Sequence, residues 1–155
     1  MYFPSGTYLV DPLSVPSNTI IFGDGMFETT VKLNDNSIPA DDPFTFHSVF
    51  TNDTILPAAY GGSGAQNTQI VIHDMTVDGN RANQTSTYSE DECISFYGST
   101  DCFVYNVRCI NAVKEGLDLD YCDRIRAWNM IIDNCGKSGL HLSTGSPQLG
   151  ASAGS

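Results

Sequence analysis

Between Ile94 and Ser143 apolar and polar residues alternate in short runs, and the runs recur at a fixed step. The stretches ISFYGSTDCFVYNVRCINAVKEG (94–116) and LDLDYCDRIRAWNMIIDNCGKSG (117–139) are each 23 residues long, and LHLS begins the pattern again at Leu140. Apolar positions fall on apolar ones: Ile94, Leu117 and Leu140; Phe96, Leu119 and Leu142; Tyr105 and Trp128. Turn residues fall on turn residues: Asn106 and Asn129, Asn111 and Asn134, Gly116 and Gly139. An earlier unit, VIHDMTVDGN, joins this register with Asp74 on Asn106 and Asn80 on Asn111 once a longer loop, 81–92, is set aside.

A period of this size, with short alternating strands and turns marked by Asn and Gly, predicts an all-β parallel solenoid. Each coil stacks on the next because none can bury its inner face alone. Equivalent Asn residues should then form a ladder of side-chain amides. A β-sandwich would not require so regular a recurrence.

The first half is less regular. YFPSGTYLV, NTIIFGDG, ETTVKL and the period-two run FTFHSVF read as strands, and SIPADDP and ILPAAYGGSGAQN as loops. The expectation is one domain over 1–155, with wider opening coils in 1–67, regular coils in 68–143 and a small polar tail in 144–155. That tail, SPQLGASAGS, is too poor in large apolar groups to cap a solenoid. A helix incomplete at both ends, or a homo-oligomer stacked through open coil ends, is therefore expected.

Composition narrows the class. Gly, Asn, Asp, Ser and Thr interleave with β-branched and aromatic residues, which suits a turn-rich β protein. Eighteen acidic against seven basic residues give a formal charge of −11, which opposes nucleic acid and anionic membranes as partners. An anionic polysaccharide would need a local cluster of Lys and Arg. The start, MYFPSGTYLV, lacks the basic and apolar regions of a signal peptide, and no apolar run is long enough to insert in a membrane. The five cysteines, Cys93, Cys102, Cys109, Cys122 and Cys135, are odd in number and lack CxxC spacing. A zinc site is unsupported, and buried thiols acting as small apolar fillers are expected.

Three stretches carry a family resemblance. YFPSGTYLV resembles the strand that enters the right-handed parallel β-helix of the pectin lyase-like superfamily, a feature shared with phage tailspikes. GDGMFETTVKL (23–33) followed by MTVDGNRANQ (75–84) resembles the catalytic module of mannuronan C5-epimerases. The resemblance implies a right-handed helix, an extracellular or virion-surface location, and uronan C5-epimerase or lyase chemistry on an anionic polysaccharide. The family's Tyr-Gly-Phe-Asp-Pro-His run matches Glu115, Gly116, Leu117, Asp118, Leu119 and Asp120. Only Asp118 carries over; Glu115 stands at the tyrosine position and Asp120 at the histidine position.

The register gives this region a spatial form, because equivalent positions of adjacent coils lie about 4.8 Å apart. Asp118 falls between Ser95 and His141, and Asp120 between Tyr97 and Ser143. An outward-facing patch of these residues, edged by Lys114 and Lys137, is expected. A histidine base (His141), a tyrosine acid (Tyr97) and a protonated Asp or a Lys to neutralise the uronate carboxylate are the groups that C5-proton removal needs. Lys114, Lys137, Ser95 and Ser143 are the candidate substrate contacts. Two other readings stand beside this one. Asp118 and Asp120 can be a glycoside hydrolase pair, whose separation would set inversion or retention, or simply a solvated face. The alternative from another class is a non-catalytic β-helix of a virion appendage, sheath or filament.

Weaker candidates complete the survey. His47 and His73 read as exposed strand positions, and Tyr105 and Trp128 as a stacked pair that either offers a sugar platform or covers a neighbour. NDT at Asn52 and NQT at Asn83 fit the glycosylation pattern. Asp74, Asp78 and Asp133 stand near turns where Ca²⁺ is a possible ligand.

Overall fold

In the computed structural model the repeat closes into stacked coils; residues 1–37, 47–53, 66–85 and 91–143 are described. The first coil contributes β1 (Tyr2–Phe3), β2 (Gly6–Val10) and β3 (Leu13–Val15). The second contributes β4 (Ile20–Gly23), β5 (Thr29–Leu33) and β6 (Phe50–Asn52). The next three contribute two strands each: β7 (Val71–Asp78) with β8 (Ile94–Tyr97), β9 (Phe103–Ile110) with β10 (Leu117–Asp120), and β11 (Arg126–Asp133) with β12 (Leu140–Ser143). Every strand pairing among them is parallel. The chain is a parallel β-helix, as its periodicity predicts.

The long strands are bent. Asp74, Asn106 and Asn129 sit mid-strand with φ of 56°, 52° and 49°, the left-handed region that Asn and Asp tolerate best among non-glycine residues. The bend divides β7, so that its first half pairs with β4 and its second half with β5. Two faces follow from this, and the sheet β3-β6-β8-β10-β12 makes the third.

The expected register is present residue for residue: Leu117 pairs with Ile94 and Leu140, Asp118 with Ser95 and His141, and Trp128 with Tyr105. The amide ladders are present too. Asn129 Nδ2 donates to Asn106 Oδ1 at 2.7 Å, and Asn106 Nδ2 donates to Asp74 Oδ1 at 2.9 Å. At the next corner Asn134 donates to Asn111 at 2.7 Å and Asn111 to Asp78 at 3.0 Å. One pairing differs from expectation. Asn80 shares the left-handed conformation of Asn111, but its amide turns back to the Leu33 carbonyl and Asp35. Asp78 takes the ladder position because the chain leaves the repeat after Asn80, into a 3₁₀ turn at Arg81–Asn83.

Inside the coils Val31, Ile72, Val77, Val104 and Val107 meet Phe50, Ile94, Phe96 and Leu117, all buried. Each such side chain contributes roughly 1.5–3 kcal/mol of transfer free energy. Cys93, Cys102 and Cys109 lie among them, Cys122 and Cys135 are half-buried, and all five thiols are free, as expected of apolar fillers.

Both histidine expectations need correction. His73 is not an open strand position: its ring lies between Phe22 and Tyr105, at centroid distances of 5.4 and 4.6 Å. His47 precedes β6 rather than lying in it, and its Nε2 is enclosed without a hydrogen-bond partner. Aromatic residues recur on this edge at every coil, so a ring at position 73 is taken into the stack. Most of the two expected loops, part of FTFHSVF and the polar tail lie outside the described residues. Among the described residues no helix is long and apolar enough to cross a membrane.

Candidate functional site

β10 enters the third face through Gly116. A Cβ there would stand 2.2 Å from Ile132 Cγ2 and 2.9 Å from the Gly139 carbonyl oxygen, so only glycine lets the turn pass this close to the next coil. The strand that follows carries Asp118 and Asp120 on its outer face. The register brings Tyr97, Asp118, Asp120 and His141 together, as expected.

The patch is not the solvated surface that alternation implies. Asp118 is 2 % exposed, Tyr97 6 % and Ser95 0 %. Residues from the turns before β6 and β8 close over this part of the sheet. Ser48 Oγ donates to Glu92 Oε2 at 2.9 Å and lies 2.8 Å from Ser95 Oγ, and Ser95 in turn donates to Thr51 at 3.2 Å. Ser95, expected as a substrate contact, is therefore a buried member of this network.

Asp118 is the hub. Its Oδ2 accepts the Tyr97 hydroxyl at 3.0 Å, and its Oδ1 lies 2.7 Å from His141 Nδ1. This contact assigns the Nδ1–H tautomer to neutral His141 and leaves Nε2 as the acceptor. The His141 side chain is 47 % exposed, whereas that of Asp120, whose Oδ1 lies 3.7 Å from His141 Nδ1, is 17 % exposed.

The electrostatics follow from this placement. Burial, then the charges of Asp118, Glu92 and Asp120, push the Tyr97 hydroxyl far above the ordinary phenol range, so Tyr97 stays neutral and donates. The hydrogen bond to Asp118 raises the His141 pKa; partial burial opposes it, and the Asp118, Asp120 and Glu115 charges add to it.

Lys114 and Lys137 occupy the turns one coil apart, linked by a backbone hydrogen bond from Lys137 N to Lys114 O of 3.0 Å. Lys137 Nζ lies 3.8 Å from Glu115 Oε1, whose side chain is buried. Ser143 ends β12 beside Asp120 in register.

For a cation, Asp118, Asp120 and His141 are the group that the described residues offer, each with a ligand atom within 4.8 Å of the others. The aspartates expected near calcium do not converge. Asp74 is engaged by His73 and Asn106, and Asp78 by the Asn80 N–H and Asn111.

Asn52 overturns the glycosylation expectation at its site. It is fully buried, its Nδ2 donates to Asn67 Oδ1 and to the Tyr97 carbonyl at 2.9 Å each, and its Oδ1 accepts the Tyr97 N–H at 2.7 Å. Asn52 thus holds the backbone of Tyr97 from both sides. Asn83 is exposed, with its amide on Asn80 Oδ1. Sequence reasoning missed Asn52, Ser48 and Glu92. A signal existed for Asn52, since it occupies an inward position beside Val15, where an apolar residue belongs.

Tyr105 and Trp128 stack as expected, at 4.5 Å and 10° between planes, and they extend a column begun by Tyr2, Phe22 and His73. Ring faces are spent on one another along this column rather than presented side by side as a platform.

No protein-family model and no curated protein matches this chain. Solved structures do. The A-module of Azotobacter vinelandii mannuronan C-5 epimerase AlgE4 superposes with a TM-score of 0.64 at 17% identity, over 92% of this chain and 40% of that one. The AlgE6 A-module gives 0.63 at 16%, over 91% and 39%. The pre-mature bacteriophage phi29 gene product 12 gives 0.64 at 18%, over 91% and 20%. The chain therefore spans about two fifths of the epimerase modules it resembles and a smaller share of the phage protein. At these identities the likeness establishes the fold: this chain is a parallel β-helix of the kind found in those structures.

Proposed function

We propose that the protein acts on an anionic, uronate-containing polysaccharide, by C5-proton abstraction of the lyase or epimerase type, at a cell or virion exterior. One observation carries this reading: a half-exposed imidazole, His141, oriented by a buried carboxylate, Asp118, that is itself held by Tyr97. That is the arrangement of a positioned general base.

In this reading neutral His141 takes the C5 proton on Nε2, and the electron pair of the C–H bond moves into the substrate carboxylate as an enolate. Asp118 and Asp120 stabilise the imidazolium that forms. In this reading Lys137 and Lys114 receive the substrate carboxylate, and Ser143 meets a sugar hydroxyl. If the C4–O bond then breaks, its electron pair leaves on oxygen and the imidazolium returns the proton to it, giving an unsaturated end. If the proton instead returns to the opposite ring face, the product is the C5 epimer. A single imidazole suffices for the first outcome, whereas the second requires a donor on the other side of the ring. Tyr97, buried and committed to Asp118, positions the carboxylate rather than meeting the sugar.

The geometry speaks against glycoside hydrolysis. Asp118 is buried, and its two oxygens are engaged by Tyr97 and His141, so it is not free to protonate or attack a glycosidic bond as one member of a carboxyl pair must.

The burial of Asp118, Tyr97 and Ser95 favours a second reading, a non-catalytic coil of a virion appendage, sheath or filament in which the network only builds the face. Alginate, polygalacturonate and a neutral glycan, followed by the C5-proton NMR signal and unsaturated-product absorbance, separate the two. Turnover of a uronan that is lost in His141→Gln supports the enzyme. No turnover by folded protein makes the network structural.

A further inference from the structure

A second site lies at the corner before the third face. There a cleft of about 250 Å³ is lined by Lys32, Asn80, Arg81, Asn83, Asn111 and Asn134. Two properties set it apart. First, it gathers two of the chain's seven basic residues in a molecule of net charge −11, and among the described residues neither pairs with a carboxylate. Arg81 spends one donor on Asn134 Oδ1, at 2.9 Å, and the Lys32 side chain makes no hydrogen bond or ion pair among the described residues. The nearby carboxylates are satisfied by amides instead: Asp35 by Asn80, and Asp78 by the Asn80 N–H and Asn111. Second, apart from Ala82 the rest of the lining is asparagine, with its side-chain amides. Each amide carries two donors and an oxygen with two lone pairs, and the ladder bonds use only part of that capacity.

From this we infer that the cleft binds a carboxylated sugar unit, with the carboxylate on Arg81 and Lys32 and the hydroxyls on the asparagine amides. Its volume of about 250 Å³ lies just below the roughly 300–1,000 Å³ of drug-sized ligand sites. The inference does not rest on catalysis at Asp118 and His141; it holds equally for an enzyme and for a binding coil.

The test is a titration with trigalacturonate, its neutral counterpart trigalactose and sodium sulfate, read by NMR shifts of the asparagine side-chain amides. The expected result is saturable shifts of the Asn80, Asn83, Asn111 and Asn134 signals with trigalacturonate only. Lys32→Gln and Arg81→Gln should each weaken that binding about tenfold, the loss expected when a charged hydrogen-bond partner is removed. Lys32→Gln breaks no side-chain hydrogen bond or ion pair, so it keeps the test clear of folding defects. Equal binding of the neutral trisaccharide, unchanged affinity in Lys32→Gln, or equal competition by sulfate would each overturn the assignment.

Discussion

Two columns of polar side chains run along this helix at the same step and behave differently. At the corner, Asp74, Asn106 and Asn129 repeat one geometry, each left-handed and each amide donating to the coil before. On the third face, Ser95, Asp118 and His141 occupy equally regular positions, yet the residue type changes at every step and the middle member is a buried carboxylate. A column of like residues builds the repeat, because each bond satisfies its neighbour. A column whose chemistry changes from coil to coil needs partners from outside it, here Tyr97 and the Ser48–Glu92 turn contacts. Such departures from the repeat are where function is to be sought.

The sharpest test of that distinction is Asp118→Ala. It leaves the buried Tyr97 hydroxyl without its acceptor and removes a charged hydrogen bond, so a loss of about 3 kcal/mol is expected in urea denaturation. A cost no larger than that of a ladder substitution would make the two columns equivalent.

Asn106→Ala should cost about 2 kcal/mol, from two lost amide bonds and an alanine forced to a φ of 52°. Asn106→Gly should recover about 1 kcal/mol of this, because glycine removes the conformational part. If the glycine variant were no better than alanine, the bend would not be what selects asparagine here.

The His141–Asp118 contact should give a smaller, pH-dependent effect, below about 1 kcal/mol because the imidazole is half exposed. Its pKa is raised in the folded state, so the stabilisation is complete below the ordinary imidazole pKa and fades as pH rises through the higher folded value. Thermal melts across that window should differ between wild type and His141→Gln on the acid side and converge on the alkaline side. Turnover should run the opposite way, rising as neutral His141 accumulates.

Reduction should change least. With five free thiols, dithiothreitol should leave the β circular-dichroism signal and melting midpoint unmoved. Cys122, half-buried and pushed up to about 12 chiefly by burial, should react with a thiol reagent far more slowly than in the unfolded chain; labelling at the unfolded rate would show that this edge opens in the native state.

The coil step, the parallel register, both ladders and the meeting of Tyr97, Asp118 and His141 are legible in the chain itself. Stacking repeats every side chain at a fixed interval, so position in sequence becomes position in space. Burial is a different matter. Ser48 and Glu92 belong to turns of unequal length that follow no period, and their distance in sequence from Asp118 gives no warning that they close over the same face. The same holds for Lys32 and Arg81, brought to one cleft from strand β5 and from a turn that has left the repeat. Periodicity fixed the lattice on which these residues stand; the aperiodic segments, closing over it in three dimensions, decided which carboxylate lost its water and which cations kept theirs.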